Sequence, residues 1–401
     1  MHIQSESRHS AKSQRIASHS DGAAHATSSN VSGSPKISRP SVEVDAKPSL
    51  DNSPSDSTNF WQLLDFSALT SQSDILARFE DVANALLCEF HIVLVRGGIQ
   101  TEYEILELEF YLQKSGCHED PFTHGSEEQE RSGQWYFHRA PKRGGSQPAL
   151  SATVAGGYRG GTRKGMDLTL GGPVTSKYFA GEGKASSTSA TVLRGGALLR
   201  TLRRLSDGKV ISGPSLLVDE ILRASGASNI NDLVTAKWNG DISASAPSTN
   251  GRAVSMSLRM KSPSTSTKKP RVFCSPRIGL DLSNLETSKS VTHPRVVFVG
   301  KPYRYFTHPH LLTANGRSQT FVGIYRASEH LDNESRLKKE LCALTGIKEQ
   351  TVAKYLSDYR LGYDEGNLAS FVGPAGKGVC ASTSMYLKMM GVLERLQEES
   401  E

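Results

Sequence analysis

Glu107, Glu109 and Tyr111 occupy every second position of an otherwise apolar run, EILELEFYL (104–112). If that run is a strand, two carboxylates and a phenol share one face while Leu106, Leu108 and Phe110 share the other. One face is then core. The other carries two carboxylates and an aromatic ring, which makes an aromatic-lined pocket with a carboxylate in it possible. The loop His118 to His124 brings Glu119, Asp120 and His124 in behind the strand end. Glu109 and Glu107 are both candidates for the reacting carboxylate, although carboxylates on the wet face of an antiparallel sheet are also ordinary surface. A second group of interest is GGYRGGTRKG (156–165), where glycines accompany Arg159, Arg163 and Lys164. Such a stretch suits contact with phosphates, or equally a mobile hairpin tip. It is not a Walker A loop, because no helix with the required Gly-Lys-Ser/Thr start follows.

Several elements must position these residues. Ile75, Leu76, Phe79, Val82, Ala83 and Leu86 recur at helical spacing behind Ser73, a candidate N-cap. FHIVLV (90–95) reads as a buried strand, and Gly97-Gly98 turns it into the run described above, so 89–113 is expected to be a β-hairpin. GQWYFHR (133–139) predicts a strand with Trp135 and Phe137 on one face and Tyr136 and His138 on the other. Met166 to Leu170 and Gly195 to Arg200 are further expected strands. Gly213-Pro214-Ser215 opens a helix with Leu216, Leu217, Ile221 and Leu222 as its inner face. Strands are also expected at Pro276 to Leu280, Arg295 to Phe306 and Thr320 to Tyr325. LKKELCALTGIKEQTVAKYLSDY (337–359) predicts two helices broken at Gly346, a spacing that fits a helix-turn-helix as well as ordinary packed helices. Tyr386 to Leu396 suggests a last helix.

Of 401 residues only 37% are hydrophobic. Residues 1–57 hold almost no large apolar side chain and are expected to form a disordered tail. The Ser/Thr/Pro/Lys-rich 239–269 is expected to be a disordered insertion. The domain itself is read as 58–326, followed by a helical extension over 327–401. A net charge of +6 suits an anionic partner without requiring one. The five cysteines are scattered and lack CxxC spacing, which argues against a zinc site and a disulfide framework. No apolar run reaches membrane-spanning length, and no secretory signal core is visible at the N-terminus. Lys268-Lys269 with Arg271 reads as a weak basic import signal or a solvated charge cluster.

The order of motifs resembles the alkyladenine DNA glycosylase family. ALLCEFHIVLV (85–95), ELEFYL (107–112), EDPFTH (119–124), GQWYF (133–137), GGALLRTL (195–202), GPSLLVDEIL (213–222), PRIGL (276–280) and KPYRYF (301–306) follow one another as that family's elements do. The resemblance covers roughly residues 75–310. It implies an α/β (α+β) fold with a curved antiparallel sheet. It also implies a DNA-repair hydrolase that flips an altered purine nucleotide out of DNA and attacks the sugar C1′ carbon with Glu-activated water. Carried over, Glu109 is the general base and Arg200 places water and the backbone phosphate. Tyr111 and His124 sandwich the base, and His138 stands where the family has another stacking tyrosine.

Two positions depart from the pattern. Lys164 replaces the family's wedge tyrosine, and Gly171 replaces a pocket asparagine, a role left to Asp167 or Thr169. No cofactor or metal is expected, and the absence of an evident lysine nucleophile argues against a Schiff-base lyase. The implied partner is DNA, duplex or single-stranded, with no membrane, and the protein is expected to be a monomer in the nucleus or the mitochondrion. The alternative is a non-catalytic nucleic-acid-binding or regulatory protein on the same fold. A protein acting mainly through its tails explains none of the ordered motifs.

Overall fold

A computed structural model describes residues 60–123, 126–140, 157–173, 192–245, 253–262, 269–312 and 314–400. The expected tail over 1–57 and the candidate His124 lie outside these residues. Helix α1 (Gln72–Cys88) buries Ile75, Phe79, Val82, Ala83 and Leu86 as its spacing predicts. Its cap is Ser71 rather than Ser73: the Ser71 hydroxyl accepts from the Asp74 N–H at 3.0 Å. Strands β1 (Phe90–Arg96) and β2 (Ile99–Lys114) form the expected hairpin. Gly97 and Gly98 both take positive φ, at 54° and 81°, as a tight hairpin turn that matches strand twist requires.

β2 is the axis of the sheet. β3 (His118–Glu119) folds back on its end, and β6 (Leu193–Arg204) runs antiparallel to nearly its whole length. Beyond β6 lie β5 (Met166–Leu170) and β4 (Trp135–Phe137), and β7 (Val210–Ser212) pairs with the end of β6. On its other side β2 pairs first with β1 and then with β10 (Arg304–Phe306), which in turn pairs with β9 (Phe273–Ser275). The far edge of β1 is occupied by β8 (Val254–Met260). Among the described residues these strands form one antiparallel sheet of ten. β8 corrects the reading of 239–269 as a disordered insertion. Val254, Met256 and Leu258 alternate with serines and bury against β1, a half-buried strand masked by a Ser/Lys-rich average.

Helix α2 (Pro214–Ser225) begins at Pro214 as expected, but its inner residues are Leu217, Val218 and Ile221, and Leu216 is exposed. Three expected strands are corrected. Residues 276–280 are a loop after β9, and 294–299 form helix α3 (Pro294–Val299), so only Arg304–Phe306 of that run is a strand. Thr320 to Tyr325 lies within helix α4 (Arg317–Arg326). Every residue from Ser318 to Ile324 is buried, so no helical stripe shows in the sequence. Gly323 admits this packing: a Cβ there would stand 2.3 Å from the Cys274 carbonyl oxygen. Helices α5 (Glu334–Thr345) and α6 (Glu349–Glu365) break at Gly346 as expected, and α7 (Thr383–Glu398) is the last helix.

Two hydrophobic clusters sandwich the sheet. One joins α1 and α2 to Ile105, Leu108, Phe110 and Leu112, and the other joins α4 to α7 with Leu106, Phe273 and Phe306. Leu106 therefore does not share a face with Leu108 and Phe110. The β2–β6 register shifts on both sides of Glu107, leaving Leu106 on β2 and Arg200 on β6 without a direct cross-strand partner. These bulges turn Leu106 toward the C-terminal helices and re-aim Arg200. Residues beyond 326 thus share a core with the sheet itself.

Candidate active site

Pairing places Glu109 opposite Arg304 on one side and Leu198 on the other, and Leu198 opposite Asp167, so all four stand on one face. Glu109 is 0% exposed. Its Oε2 accepts from the Tyr111 hydroxyl at 2.9 Å and from Arg200 Nη1 at 3.1 Å. Its Oε1 accepts from the Ile278 N–H at 2.6 Å. An ionised carboxylate offers about four lone-pair sites, so three donors leave one for water or substrate. The structure brings together Glu109 and Tyr111, as the alternation predicts, and Arg200, as the resemblance implies.

Glu107, one pleat away, is also buried. Its Oε1 accepts from Arg304 Nε at 2.6 Å and faces Arg200 Nε at 3.4 Å, and its Oε2 takes the Thr201 hydroxyl. Arg304 continues to the Ser275 hydroxyl (2.9 Å) and, across to α4, to the Thr320 hydroxyl (3.0 Å). Burial alone would raise the Glu107 carboxyl, but Arg304 and Arg200 beside it hold it below its ordinary value. For Tyr111 burial and the Glu109 charge act in the same sense and push the phenol up, so it remains a donor.

A third buried pair sits beneath Tyr111. Arg277 grips Asp120, donates to the Phe110 carbonyl at 3.0 Å, and lies 4.5 Å from the Tyr111 ring centroid. Three guanidinium groups (Arg200, Arg277, Arg304) thus balance three carboxylates (Glu107, Glu109, Asp120). Arg277, Arg304, Thr201 and the Ile278 N–H escaped the sequence reading. The available signal was an arginine inside an aromatic run, YRYF (303–306), because a charge flanked by core residues must be paired.

His138 stands on β4's extension with its Nε2 2.9 Å from Asp167 Oδ1. Thr169, on the same face, accepts the Gln134 N–H at 2.9 Å through its hydroxyl. Gly171 has a structural cause, since a Cβ there would lie 2.4 Å from the Glu130 carbonyl oxygen. In the Gly-rich segment Gly161–Arg163 forms a short 3-10 turn tied to α2 by the Ser215 hydroxyl, which donates to the Gly161 carbonyl at 2.8 Å. Lys164 pairs with Asp219, and Arg159 Nε donates to the Arg139 carbonyl at 2.8 Å. A separate cleft of about 1240 Å³ lies at the β1–β8 edge, lined by His91, Glu104, Arg203, Lys261 and His308, with Arg203 paired to Glu104. Of α6, Val352, Tyr355, Leu356 and Tyr359 pack into the second cluster.

No protein-family model matches the chain. It is similar to an uncharacterized protein of Acanthamoeba polyphaga mimivirus, at 31% identity over 155 residues, which are 39% of this chain and 61% of that protein. The match therefore spans less than two thirds of the viral protein's length. Among the described residues, no helix is long and apolar enough to cross a membrane.

Proposed function

We propose that the chain is an N-glycosidic hydrolase that excises altered purine bases from DNA, a divergent relative of the alkyladenine DNA glycosylases. The observation that carries this reading is Glu109, a buried carboxylate held by Arg200, Tyr111 and the Ile278 N–H. Each partner donates, so the remaining acceptor site on Glu109 takes the proton of an attacking water. Arg200, bonded to the same carboxylate, orients that water and meets the backbone phosphate. Developing positive charge on the sugar gains from the nearby carboxylate. Tyr111, its ring backed by Arg277, supplies one stacking surface, and the resemblance gives His124 and His138 as the further stacking residues. Arg159, Arg163 and Lys164 face the DNA backbone.

A non-catalytic, nucleic-acid-binding role is the second reading, favoured by the complete enclosure of Glu109 and by Lys164 being engaged with Asp219. Single-turnover release of base from single- and double-stranded oligonucleotides carrying hypoxanthine, ethenoadenine or methyladenine separates the two. Base release above the uncatalysed rate is expected. Binding with steep salt dependence and no release favours the second reading.

A further inference from the structure

The cleft at the β1–β8 edge takes no part in the proposed reaction, and its lining has a chemistry of its own. Pairing sets Arg203, Glu104, His91 and Arg259 in one row across β6, β2, β1 and β8. The four share one face and span about 14 Å at the usual strand spacing. Glu104 precedes Glu109 by five positions on β2, roughly 16 Å at the usual rise per residue. The cleft is therefore separate from the Glu109 site. Lys261, directly after β8, lines it too, and the exposed apolar side chains of Leu205 and Met260 form part of its wall. At about 1240 Å³ it has room for far more than a bare ion.

The carboxylates of the cleft are engaged, whereas its cations are only partly used. Glu104 Oε2 accepts from Arg203 through Nε at 2.9 Å and through Nη2, Glu102 faces His91 Nδ1 at 3.4 Å, and Glu89 pairs with Lys269 at 2.7 Å. Lys261 is poorly served. Its Nζ stands 3.4 Å from the Leu87 carbonyl oxygen and 3.8 Å from Glu104 Oε1, and burial lowers the ammonium below its ordinary value. Arg259 donates through Nη1 to the neutral Gln100 Oε1 at 3.0 Å. A guanidinium carries five N–H donors and an ammonium three, so these bonds use only part of their capacity. His308, which also lines the cleft, has φ 49°, the left-handed region that strains a non-glycine backbone. Its Nδ1 is buried with no hydrogen-bond partner among the described residues. Strain and unmet polar groups thus gather at one place.

We propose that the β1–β8 cleft is a second ligand site, which takes a free phosphate monoester with an apolar body and holds the phosphate through Lys261, Arg203 and Arg259. A phosphate monoester is close to a dianion at neutral pH and offers three terminal oxygens, which suits three cations carried by β6, β8 and the residue after β8. A carboxylate brings two oxygens and a single charge. The added negative charge offsets the burial of the Lys261 ammonium, and the body of the ester lies against Leu205 and Met260. None of this depends on the purine-hydrolase reading.

The experiment is calorimetric titration of the full-length protein with phenyl phosphate, benzoate and inorganic phosphate. It is repeated with the Lys261→Met and Arg259→Met variants, each checked for an unchanged thermal midpoint. Saturable binding of phenyl phosphate is expected, about tenfold tighter than benzoate, tighter than inorganic phosphate, and weakened about tenfold in either variant. Arg259 is exposed, so its variant keeps the test open should Lys261→Met fail to fold. The proposal is overturned by an absence of saturable binding, by benzoate or inorganic phosphate binding as tightly as the ester, or by an affinity unchanged in the folded variants. Displacement of phenyl phosphate by an undamaged oligonucleotide without terminal phosphates would assign the cleft to a nucleic-acid backbone, and overturns the free-ligand proposal as well.

Discussion

The Glu107 and Glu109 ends of the β2 face carry the same side chain one pleat apart, yet their donors come from different parts of the molecule. At Glu107 the bonded donors are Arg304 Nε and the Thr201 hydroxyl, with Arg200 Nε 3.4 Å away. Arg304 ties it to β9 through Ser275 and to α4 through Thr320, so that end fastens the C-terminal helices to the sheet. At Glu109 the donors are a phenol, one arm of Arg200 and a loop N–H. The face there is bounded by a ring and by the small residue Gly196, which pairs with Tyr111. Residue type and alternation alone do not separate a structural carboxylate from a reacting one. Each carboxylate meets three nearby donors, so what differs is where those donors come from and what they tie to.

The largest effect that sharpens this contrast is on stability. Arg304→Met leaves Glu107 buried without its main partner and is expected to cost about 3–5 kcal/mol in denaturant unfolding. The double variant Glu107→Met/Arg304→Met recovers most of that loss. A single variant as stable as wild type would break the assignment of the Glu107 end as a fastening. Next comes acid. Glu107 is held below its ordinary value of 4.5, so its contribution is complete above that pH and is lost as pH falls through the lowered value. Unfolding followed against pH is expected to show a shallower acid limb for Glu107→Gln than for the wild type.

Tyr111→Phe removes one donor from Glu109 and keeps the ring over Arg277, with an expected stability loss of about 1 kcal/mol by thermal melting. A loss as large as that of Arg304→Met would mean that the two ends are not distinct. The smallest effect is at Lys164, whose pair with the half-exposed Asp219 is largely solvent-screened. Lys164→Ala is expected to change stability by less than about 1 kcal/mol while weakening oligonucleotide binding at low salt.

Much of β2 is legible because a strand with one buried face must alternate, which puts Glu109 and Tyr111 together, while Arg200 is indicated by motif order. The bulge at Leu106 was not legible, since periodicity assumes an unbroken register. Arg277 and Arg304 were missed because their partners, Asp120 and Glu107, lie far away in the chain, and spacing carries no information on such contacts. α4 was read as a strand because burial on all sides erases the helical stripe that distinguishes TFVGIY (320–325) from a β segment. β8 was hidden by composition averaged over its serine- and lysine-rich surroundings.

On the proposed function, Glu109 and not Glu107 is the reacting carboxylate. Single-turnover base release from a hypoxanthine-containing oligonucleotide by Glu109→Gln, folded as judged by its melting transition, tests it most directly. A loss of about 10²–10⁴-fold relative to wild type, with oligonucleotide binding retained, is the predicted result. Release by Glu109→Gln at the wild-type rate would contradict the account.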